Sequence, residues 1–274
     1  MMILSVYTAK LPAEGMGRMD AIEQKILQVI DAHAEEIKAF GRDIFHHAEL
    51  GYQEHRTAGK FAEALRRLGM QPQEGLAVSG VKSELSGTRD QKLRVAVMGE
   101  LDALPISNAS HTNPETGAAH CCGHHAQLTG VLGAAIALSD PQVKASLDGM
   151  PVFMAVPAEE CVDLEFKEKL AEEGKIRYFG GKCEFIRIGV MDDIDLVVGH
   201  HSTTGDFEAG MGNSPSTGFV SKTVKYKGKA SHAAGAPQKG VDALNAAALG
   251  MHGRAAAAKT RCGFMVLFPK EARR

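Results

Sequence analysis

The sequence contains no tryptophan, and its aromatic residues make up only 5% of 274 positions. Proteins that bind single-stranded nucleic acid stack bases on aromatic side chains, so this composition argues against such a partner. Neither sign of charge dominates, because 31 basic and 33 acidic side chains give a formal net charge of -2. A basic surface for nucleic acid or for an anionic membrane is therefore not expected.

Long apolar runs are also missing. No segment approaches the ~20 apolar residues that a membrane-spanning helix needs, and the N-terminal segment lacks the basic head of a signal peptide. The five cysteines are an odd number without regular spacing, which makes a poor disulfide framework. These absences predict a cytoplasmic protein that binds no membrane.

The segments that are present predict an α/β domain. Three apolar runs, LRVAVM, PVFMAV and DLVVG, have the character of buried strands, and they alternate with segments of helical periodicity. Strands that are apolar on both faces belong to sheets covered by helices. One helix is expected over residues 21–47 and another over 57–68, which ends before Gly69.

Two domain boundaries are expected, and they divide the chain into three segments. Residues 1–19 have the character of an N-terminal extension, and residues 20–215 form the predicted α/β domain. After Ser216 the pattern changes to alternation, so residues 219–228 predict a half-exposed strand with Val220, Val224 and Tyr226 on one face. A helix, VDALNAAALGM, follows. Residues 216–274 therefore predict the start of a second, smaller domain.

Polar residues gather immediately after each of the three apolar strands. The motifs are GELDALP, PAEE and a pair of histidines. Ligands of open α/β sheets bind at the carboxyl ends of the strands, so we expect the three motifs to converge on one site.

Cys122 and His124 flank Gly123 in the most specific of the local motifs. In an extended segment, residues two apart point to the same side, so the thiolate and the imidazole could share a metal ion. The alternative is a buried cysteine beside a surface histidine. The neighbouring His120 and His125 favour the metal.

Two adjacent pairs offer further candidates. Glu159 and Glu160 follow a strand end, where one carboxylate could ligate a metal and the other could reach a water molecule. The alternative is a solvated surface pair. One histidine of His200 and His201 could supply a nitrogen ligand, or both could simply be held by hydrogen bonds.

Asp102 and His232 have two interpretations each. Asp102 could orient a ligand without touching the metal, or it could cap a turn. His232 lies on a glycine-rich loop, where it could donate a hydrogen bond to a substrate carbonyl or be an ordinary surface residue.

Together these motifs resemble the family-20 metallopeptidases, which include aminoacylases, auxin-conjugate hydrolases and aminobenzoyl-glutamate hydrolases. GELDALP and the Gly-Gly stretch are most similar to the aminobenzoyl-glutamate branch. The resemblance implies a zinc-peptidase-like catalytic domain with a mixed sheet and flanking helices, followed by the beginning of a ferredoxin-like lid or dimerisation domain. The matching stretches run in family order: FHHAELGYQEHRTA, GELDALP, HCCGHHAQLTGVLGAA, VPAEE, KIRYFGGKCEFIRIGVMDDIDLVVGHH and YKGKASHAAGAPQKGVDALNAA.

The resemblance also implies a function and a set of roles. It implies a metal-dependent amidohydrolase that acts on small N-acyl or N-aroyl amino acids with two divalent ions, zinc or manganese, with cobalt also compatible. Glu159 resembles the general base, and His232 resembles a lid histidine that reaches the active site of the other subunit in a homodimer. The metal ligands that the resemblance implies are Cys122, which would bridge the two ions, His124, Glu160 and His201.

The chain departs from the family pattern at several positions. Many relatives have Asp at the position of His125 and His at the position of Gln127. Family members also continue well beyond this point and supply one more histidine ligand, whereas the tail here stops resembling them soon after Met251. The sequence therefore predicts a C-terminally truncated chain that is inactive or nearly inactive. The abrupt change of composition in the tail indicates a frameshift rather than a divergent ending.

Two other functions fit parts of the sequence. One is a hydrolase that uses Cys122 as a nucleophile with a nearby histidine as its base. The other is a metal-binding fragment without catalytic activity.

Overall fold

The computed structural model describes residues 19–202 and 224–257, with side chains described up to residue 253. Residues 1–213 and 214–274 form two compact units, and each is described by itself. The predicted extension before Met19, the position of Val220 and the tail beyond residue 257 lie outside the described residues.

The first unit alternates helices and strands in the order expected for an α/β domain. Its described helices are α1 (Ala21–Ala32), α2 (Ala34–His46), α3 (His55–Arg67), α4 (His124–Ser139), α5 (Pro141–Ser146), α6 (Leu164–Glu172) and α7 (Gly181–Arg187). Its described strands are β1 (Gln73–Leu76), β2 (Gly80–Glu84), β3 (Arg94–Glu100), β4 (Met150–Val156) and β5 (Leu196–Gly199).

The N-terminal helical segment is two helices, so the prediction of one helix over residues 21–47 was wrong. Helix α1 begins at a capping box, in which the Asp20 carboxylate accepts the backbone N–H of Glu23 and the Glu23 carboxylate accepts that of Asp20, both at 2.8 Å. His33 leaves helical geometry with φ of -102° and ψ of 9°. Both helices pack against α4, and the interruption at His33 separates their axes.

The five strands form one mixed sheet in the order β1-β2-β4-β3-β5. Strands β3, β4 and β5 run parallel, while β2 is antiparallel to both β1 and β4. The apolar runs that predicted strands are β3, β4 and β5, as expected. Strands β1 and β2 were not predicted because QEGL and GVKSE contain few apolar residues.

Helices cover the sheet on both faces, so the domain has three layers. One core joins α2, α3 and α4 to the sheet and includes Phe61, Leu128 and Phe153, all with no exposed surface. The other core joins α6 and α7 to the opposite face through Val152 and Phe185. The buried central strand β4, with every residue buried, contributes to both cores.

Strand β5 does not match the predicted buried strand. All four of its residues are exposed, and Leu196 retains 55% of its accessible surface. The cause is its place at the edge of the sheet, where β3 is its one strand partner among the described residues.

The second unit contains a 3-10 turn at Pro237–Lys239 and helix α8 (Ala243–Ala257), which confirms the predicted helix. The predicted strand over 219–228 is wrong in its described part, because residues 224–228 have no strand structure. Lys229 instead forms an isolated bridge with Val241. Within the described part of the chain, no helix has the length and hydropathy to cross a membrane.

Candidate metal centre

The three polar motifs lie together at one edge of the sheet. Because β3, β4 and β5 are parallel and adjacent, their carboxyl ends meet at this edge. Glu100 is the last residue of β3, Glu159 and Glu160 follow β4, and His201 follows β5. The convergence expected from the sequence is therefore confirmed by the strand order.

Cys122 and His124 are brought to this edge by a turn rather than by an extended segment, so that part of the prediction was wrong. Gly123 has φ of +103°, in the left-handed region that favours glycine, and His124 is the first residue of α4. A Cβ atom at Gly123 would also collide with the Ser202 hydroxyl. The turn therefore requires glycine for its conformation and for its space.

His124 is fully buried and is oriented by Asp102. Its Nδ1 lies 2.8 Å from the backbone oxygen of Asp102 and 3.1 Å from the carboxylate oxygen Oδ1. Both of these atoms are acceptors, so Nδ1 carries a proton, and Nε2 is the ring nitrogen that a metal ion could bind in place of a second proton. The second carboxylate oxygen of Asp102 accepts the backbone N–H of Glu160 at 2.9 Å. Asp102 thus positions two of the predicted ligands.

His201 is held in a similar way. Its Nδ1 lies 2.6 Å from the backbone oxygen of Ser202, which leaves Nε2 directed at the Cys122 sulfur at 3.4 Å. His200 packs instead against Gly130, whose added Cβ would lie 2.5 Å from its ring. The structure therefore distinguishes the two adjacent histidines, and His201 is the one that faces Cys122.

The turn after β4 separates the two adjacent glutamates. Ala158 has φ of +49°, an unfavourable value for a residue with a side chain, and its N–H donates to the buried Glu54 carboxylate at 2.7 Å. The Glu160 carboxylate contacts Cys122, while Glu159 lies 3.8 Å from His124 Nε2. The two carboxylates therefore contact different residues of the site.

Two residues that the sequence did not single out also belong to this site. Glu100 Oε2 lies 3.0 Å from His124 Nε2, and Lys182 of α7 pairs with Glu100 and, at 3.6 Å, with Glu159. The sequence placed Glu100 beside Asp102 at a strand end but offered no reason to prefer it. No local signal marks Lys182, because its partner Glu100 is 82 residues away.

The donor set suits a divalent cation. Two groups have ligand atoms within 4.8 Å of one another, Cys122 with His124 and His201, and Glu100 with His124 and Glu159. Nε2 of His124 and Oε2 of Glu100 are buried without a hydrogen-bond partner. Cysteine, histidine and carboxylate are ligands that zinc prefers, and manganese and cobalt accept nitrogen and oxygen ligands.

The charge at the site also favours a cation. Burial of His124 lowers its pKa, but the carboxylates of Asp102 and Glu100 outweigh burial and raise that pKa to about 11. Burial and the carboxylate of Glu160 raise the pKa of Cys122 to about 11, so the free thiol stays protonated at neutral pH. The raised pKa of His124 reflects the negative charge of the neighbouring carboxylates, which a bound cation would offset.

Gln127, which stands where many relatives have His, ties two strand ends together. Its side-chain oxygen accepts the backbone N–H of Glu100 at 2.7 Å, and its amide donates to the backbone oxygen of His200 at 2.7 Å. His125 is not directed at the site; its ring packs against Phe45 at 4.8 Å between centroids.

His232 lies in the second unit and is exposed. Its Nδ1 accepts the backbone N–H groups of Ala234 and Gly235 at 3.2 and 2.8 Å. The proton of the neutral ring is therefore on Nε2, which can act as a donor.

Comparison with known proteins gives relatives that are hydrolases by name. No protein-family profile matches the chain. The mouse protein Xaa-Arg dipeptidase is 29% identical over 245 residues, which are 84% of this chain and 49% of that protein. An N-acyl-L-amino acid amidohydrolase of Geobacillus stearothermophilus is 28% identical over 182 residues, which are 65% of this chain and 44% of the relative. The chain therefore spans about half the length of the curated relatives that it matches.

A solved structure supports the same relationship. It is a Bacillus subtilis protein described as a dinuclear metal binding peptidase from the M20 family. Its TM-score is 0.51 at 25% sequence identity, and the match covers 63% of this chain and 44% of that one. The similarity extends through the mixed sheet and its flanking helices.

Proposed function

We propose that the chain is a homologue of the M20 metallopeptidases and that its metal centre serves the hydrolysis of amide bonds in small molecules. The observation that carries the proposal is the convergence of two potential metal-binding groups on His124, at the carboxyl edge of β3, β4 and β5. The substrate class that we propose is a small N-acyl or N-aroyl amino acid, of the kind that aminobenzoyl-glutamate represents.

Each residue of the centre has a proposed role. Divalent ions, when bound, would polarise the scissile carbonyl and make the attacking water more acidic. We propose Glu159 as the base that takes a proton from this water and delivers it to the leaving nitrogen, because its side chain is 35% exposed and can meet a substrate. Asp102 fixes the orientation of His124. The proposed metal ligands are Cys122, His124, Glu160 and His201.

Further proposals concern the assembly and location of the protein. We propose a homodimer in which His232 contacts substrate bound by the other subunit, as the family resemblance implies. We propose zinc or manganese as the metal, with cobalt as an active substitute. A reduced Cys122 thiol, which the site requires, favours a cytoplasmic location.

Metal analysis with matched cysteine variants tests the metal centre. Protein purified without chelator should contain a divalent ion, and Cys122→Ala should remove most of it. The neighbouring Cys121 provides the control, because it is exposed and belongs to neither metal-binding group. Cys121→Ala should retain the wild-type metal content. Equal metal content in wild type and Cys122→Ala would reject the ligand assignment.

Paired glutamate variants test the proposed chemistry. Product release from aminobenzoyl-glutamate and N-acyl amino acids is followed with metal-loaded protein in excess over substrate, so that slow hydrolysis is also detected. Glu159→Gln should retain metal and remove hydrolysis, whereas Glu160→Gln should lose metal. A metal-loaded wild type without hydrolysis would support the alternative of a non-catalytic metal-binding protein.

A cysteine hydrolase is the second candidate function, since Cys122 and His201 are 3.4 Å apart and resemble a nucleophile with its base. The two candidates respond differently to a chelator. A metal-dependent hydrolase loses activity on chelation and recovers it when metal is restored, whereas a cysteine hydrolase retains activity in chelator and loses it on alkylation of Cys122.

A further inference from the structure

The carboxylate of Glu100 faces His124 at the carboxyl end of β3, where Glu100, His124 and Glu159 offer ligand atoms within 4.8 Å of one another. Oε2 of Glu100 and Nε2 of His124 are 3.0 Å apart and form an ion pair while the ring carries a second proton, but neither atom has a hydrogen-bond partner when the ring is neutral. Both side chains are shielded from water, with 6% and 0% of their surfaces exposed. Buried polar atoms without partners are rare in folded proteins and call for an explanation.

The hydrogen bonds of His124 show what kind of group would satisfy both atoms. Its Nδ1 contacts two acceptor oxygens of Asp102, so the Nδ1 proton stays in place and Nε2 is the ring nitrogen that can bind either a second proton or a metal ion. A metal ion that displaces this second proton would lie between Nε2 and the carboxylate of Glu100. Two ligand atoms at about 2.1 Å from one ion stand about 3.0 Å apart at the octahedral angle and about 3.4 Å apart at the tetrahedral angle, so small adjustments of the observed 3.0 Å separation would suffice for either geometry.

Glu100 is also fixed in place so that one carboxylate oxygen remains available. Its Oε1 pairs with the ammonium group of Lys182, and its backbone N–H is held by Gln127 at 2.7 Å. Lys182 reaches Glu159 as well, at 3.6 Å. This arrangement directs Oε2 of Glu100 towards His124 and away from the lysine.

We propose that Glu100 is a direct metal ligand, which binds through Oε2 the same divalent ion as His124 Nε2, and that Lys182 is the positioning residue that holds Oε1. The proposal rests on the metal binding proposed above. It adds a carboxylate from the end of β3 to the ligands from α4 and from the segments after β4 and β5. Glu100 and His124 then bind one ion beside the proposed base Glu159, and Cys122 and His201 face the other ion position.

Titration of metal-free protein with zinc and with manganese tests this ligand. Glu100→Gln preserves the size of the side chain and removes its charge. Loss of an outer partner of a ligand weakens metal binding by about 10–100-fold, so loss of a direct ligand should exceed about 100-fold or remove one bound ion. Calorimetric titration gives the affinity, and elemental analysis gives the number of ions. A smaller change with the full number of ions overturns the proposal.

Two controls separate the possible outcomes. Glu184 is another fully buried carboxylate, paired with Arg187 and in neither metal-binding group, so Glu184→Gln should bind metal as wild type does. Lys182→Met should retain both ions with weaker affinity, since it removes only the positioning contact. If wild type itself binds no metal, the proposed function fails. If wild type binds metal and Glu100→Gln matches it, only the Glu100 assignment fails.

Thermal unfolding of the metal-free variants shows whether each one folds. Should Glu100→Gln not fold, Glu100→Asp keeps the charge that Lys182 requires but withdraws the carboxylate by one methylene. Glu100→Asp is then expected to fold. Its affinity for the ion assigned to Glu100 and His124 should be more than about 100-fold lower than that of wild type. Wild-type affinity in Glu100→Asp would contradict direct ligation.

Discussion

At the residue scale, the arrangement around His124 depends on one buried carboxylate. Asp102 has no exposed surface and contacts both the ring of His124 and the backbone N–H of Glu160. An outer carboxylate of this kind fixes the tautomer of a histidine ligand and increases its basicity. Asp102 therefore influences the metal without touching it.

Replacement of Asp102 tests this influence. In Asp102→Asn the side chain can turn an N–H group towards His124, which no longer favours a proton on Nδ1. We expect metal affinity to fall by about 10–100-fold while the number of bound ions stays unchanged. Competition with a chromophoric chelator measures the affinity. Unchanged affinity would show that the backbone oxygen of Asp102 alone is sufficient.

The buried carboxyl group of Glu54 is expected to make the free energy of unfolding depend on pH, even in metal-free protein. Burial, together with the nearby charge of Asp102, raises the pKa of Glu54 to about 8, although hydrogen bonds from Ser79 and Ala158 oppose the shift. The folded state then holds this proton more tightly than the unfolded state. The stabilising contribution is complete below the unfolded pKa of about 4.3 and is lost as pH rises through the folded pKa of about 8.

Glu54→Gln should remove this dependence, because the amide stays uncharged and still accepts the N–H of Ala158. We expect the stability of the variant relative to wild type to rise between pH 5 and pH 8, by up to about 1.4 kcal/mol per pH unit. Urea unfolding of metal-free protein at several pH values within that range measures the difference. Parallel stability curves for the two proteins would rule out a protonated Glu54.

At the scale of elements, apolar runs and periodicity were good predictors where an element is buried. Strands β3 and β4 were predicted because each contains a continuous apolar run, and α3 was predicted by its spacing and by the following Gly69. The break at His33 was not predicted, since the apolar periodicity continues through it. Strands β1 and β2 were not predicted, because β1 is held by pairing with β2, and β2 by pairing with β4, rather than by an apolar composition of their own.

The site was predicted in part for the same reason. Parallel strands bring their carboxyl ends together, so residues that follow an apolar strand could be grouped from the sequence alone. Contacts between distant elements could not be predicted this way. The pairing of Lys182 with Glu100 depends on where α7 lies, and the left-handed turn at Gly123 depends on Ser202.

Strand β5 forms an exposed apolar edge of the sheet, so we expect molecules of this protein to aggregate through it. Leu196 and Val198 retain 55% and 48% of their surfaces, and exposed apolar edge strands promote aggregation. Leu196→Lys should reduce aggregation without loss of bound metal, because the residue begins the strand and lies away from His201. Light scattering during storage at increasing protein concentration measures the effect.

Leu93 provides the matched control, since it is 48% exposed but lies outside the strands. Leu93→Lys should change aggregation little. A comparable improvement in both variants would mean that net charge, rather than the β5 edge, controls solubility.

At the scale of the whole molecule, the metal centre links parts of the chain that are far apart in sequence. The proposed ligands come from the end of β3, the start of α4 and the segments after β4 and β5. A metal ion at this edge would therefore join three of the five strands to a central helix. Metal binding should stabilise the first unit as a whole, since these elements form its core.

Metal removal provides the corresponding measurement. An ion that binds only the folded state, at a free concentration a hundredfold above Kd, adds about 2.7 kcal/mol of stability. For a unit of this size that corresponds to an increase in Tm of about 5–10 °C. Differential scanning calorimetry of wild type should show this increase with zinc and its loss with chelator, and the increase should shrink at acidic pH because protons compete for the ligands. Cys121→Ala should respond as wild type does, and Cys122→Ala should show little response. An equal increase in Tm for both cysteine variants would show that the stabilising ion does not bind Cys122, because loss of its thiol would then matter no more than loss of the neighbouring Cys121 thiol.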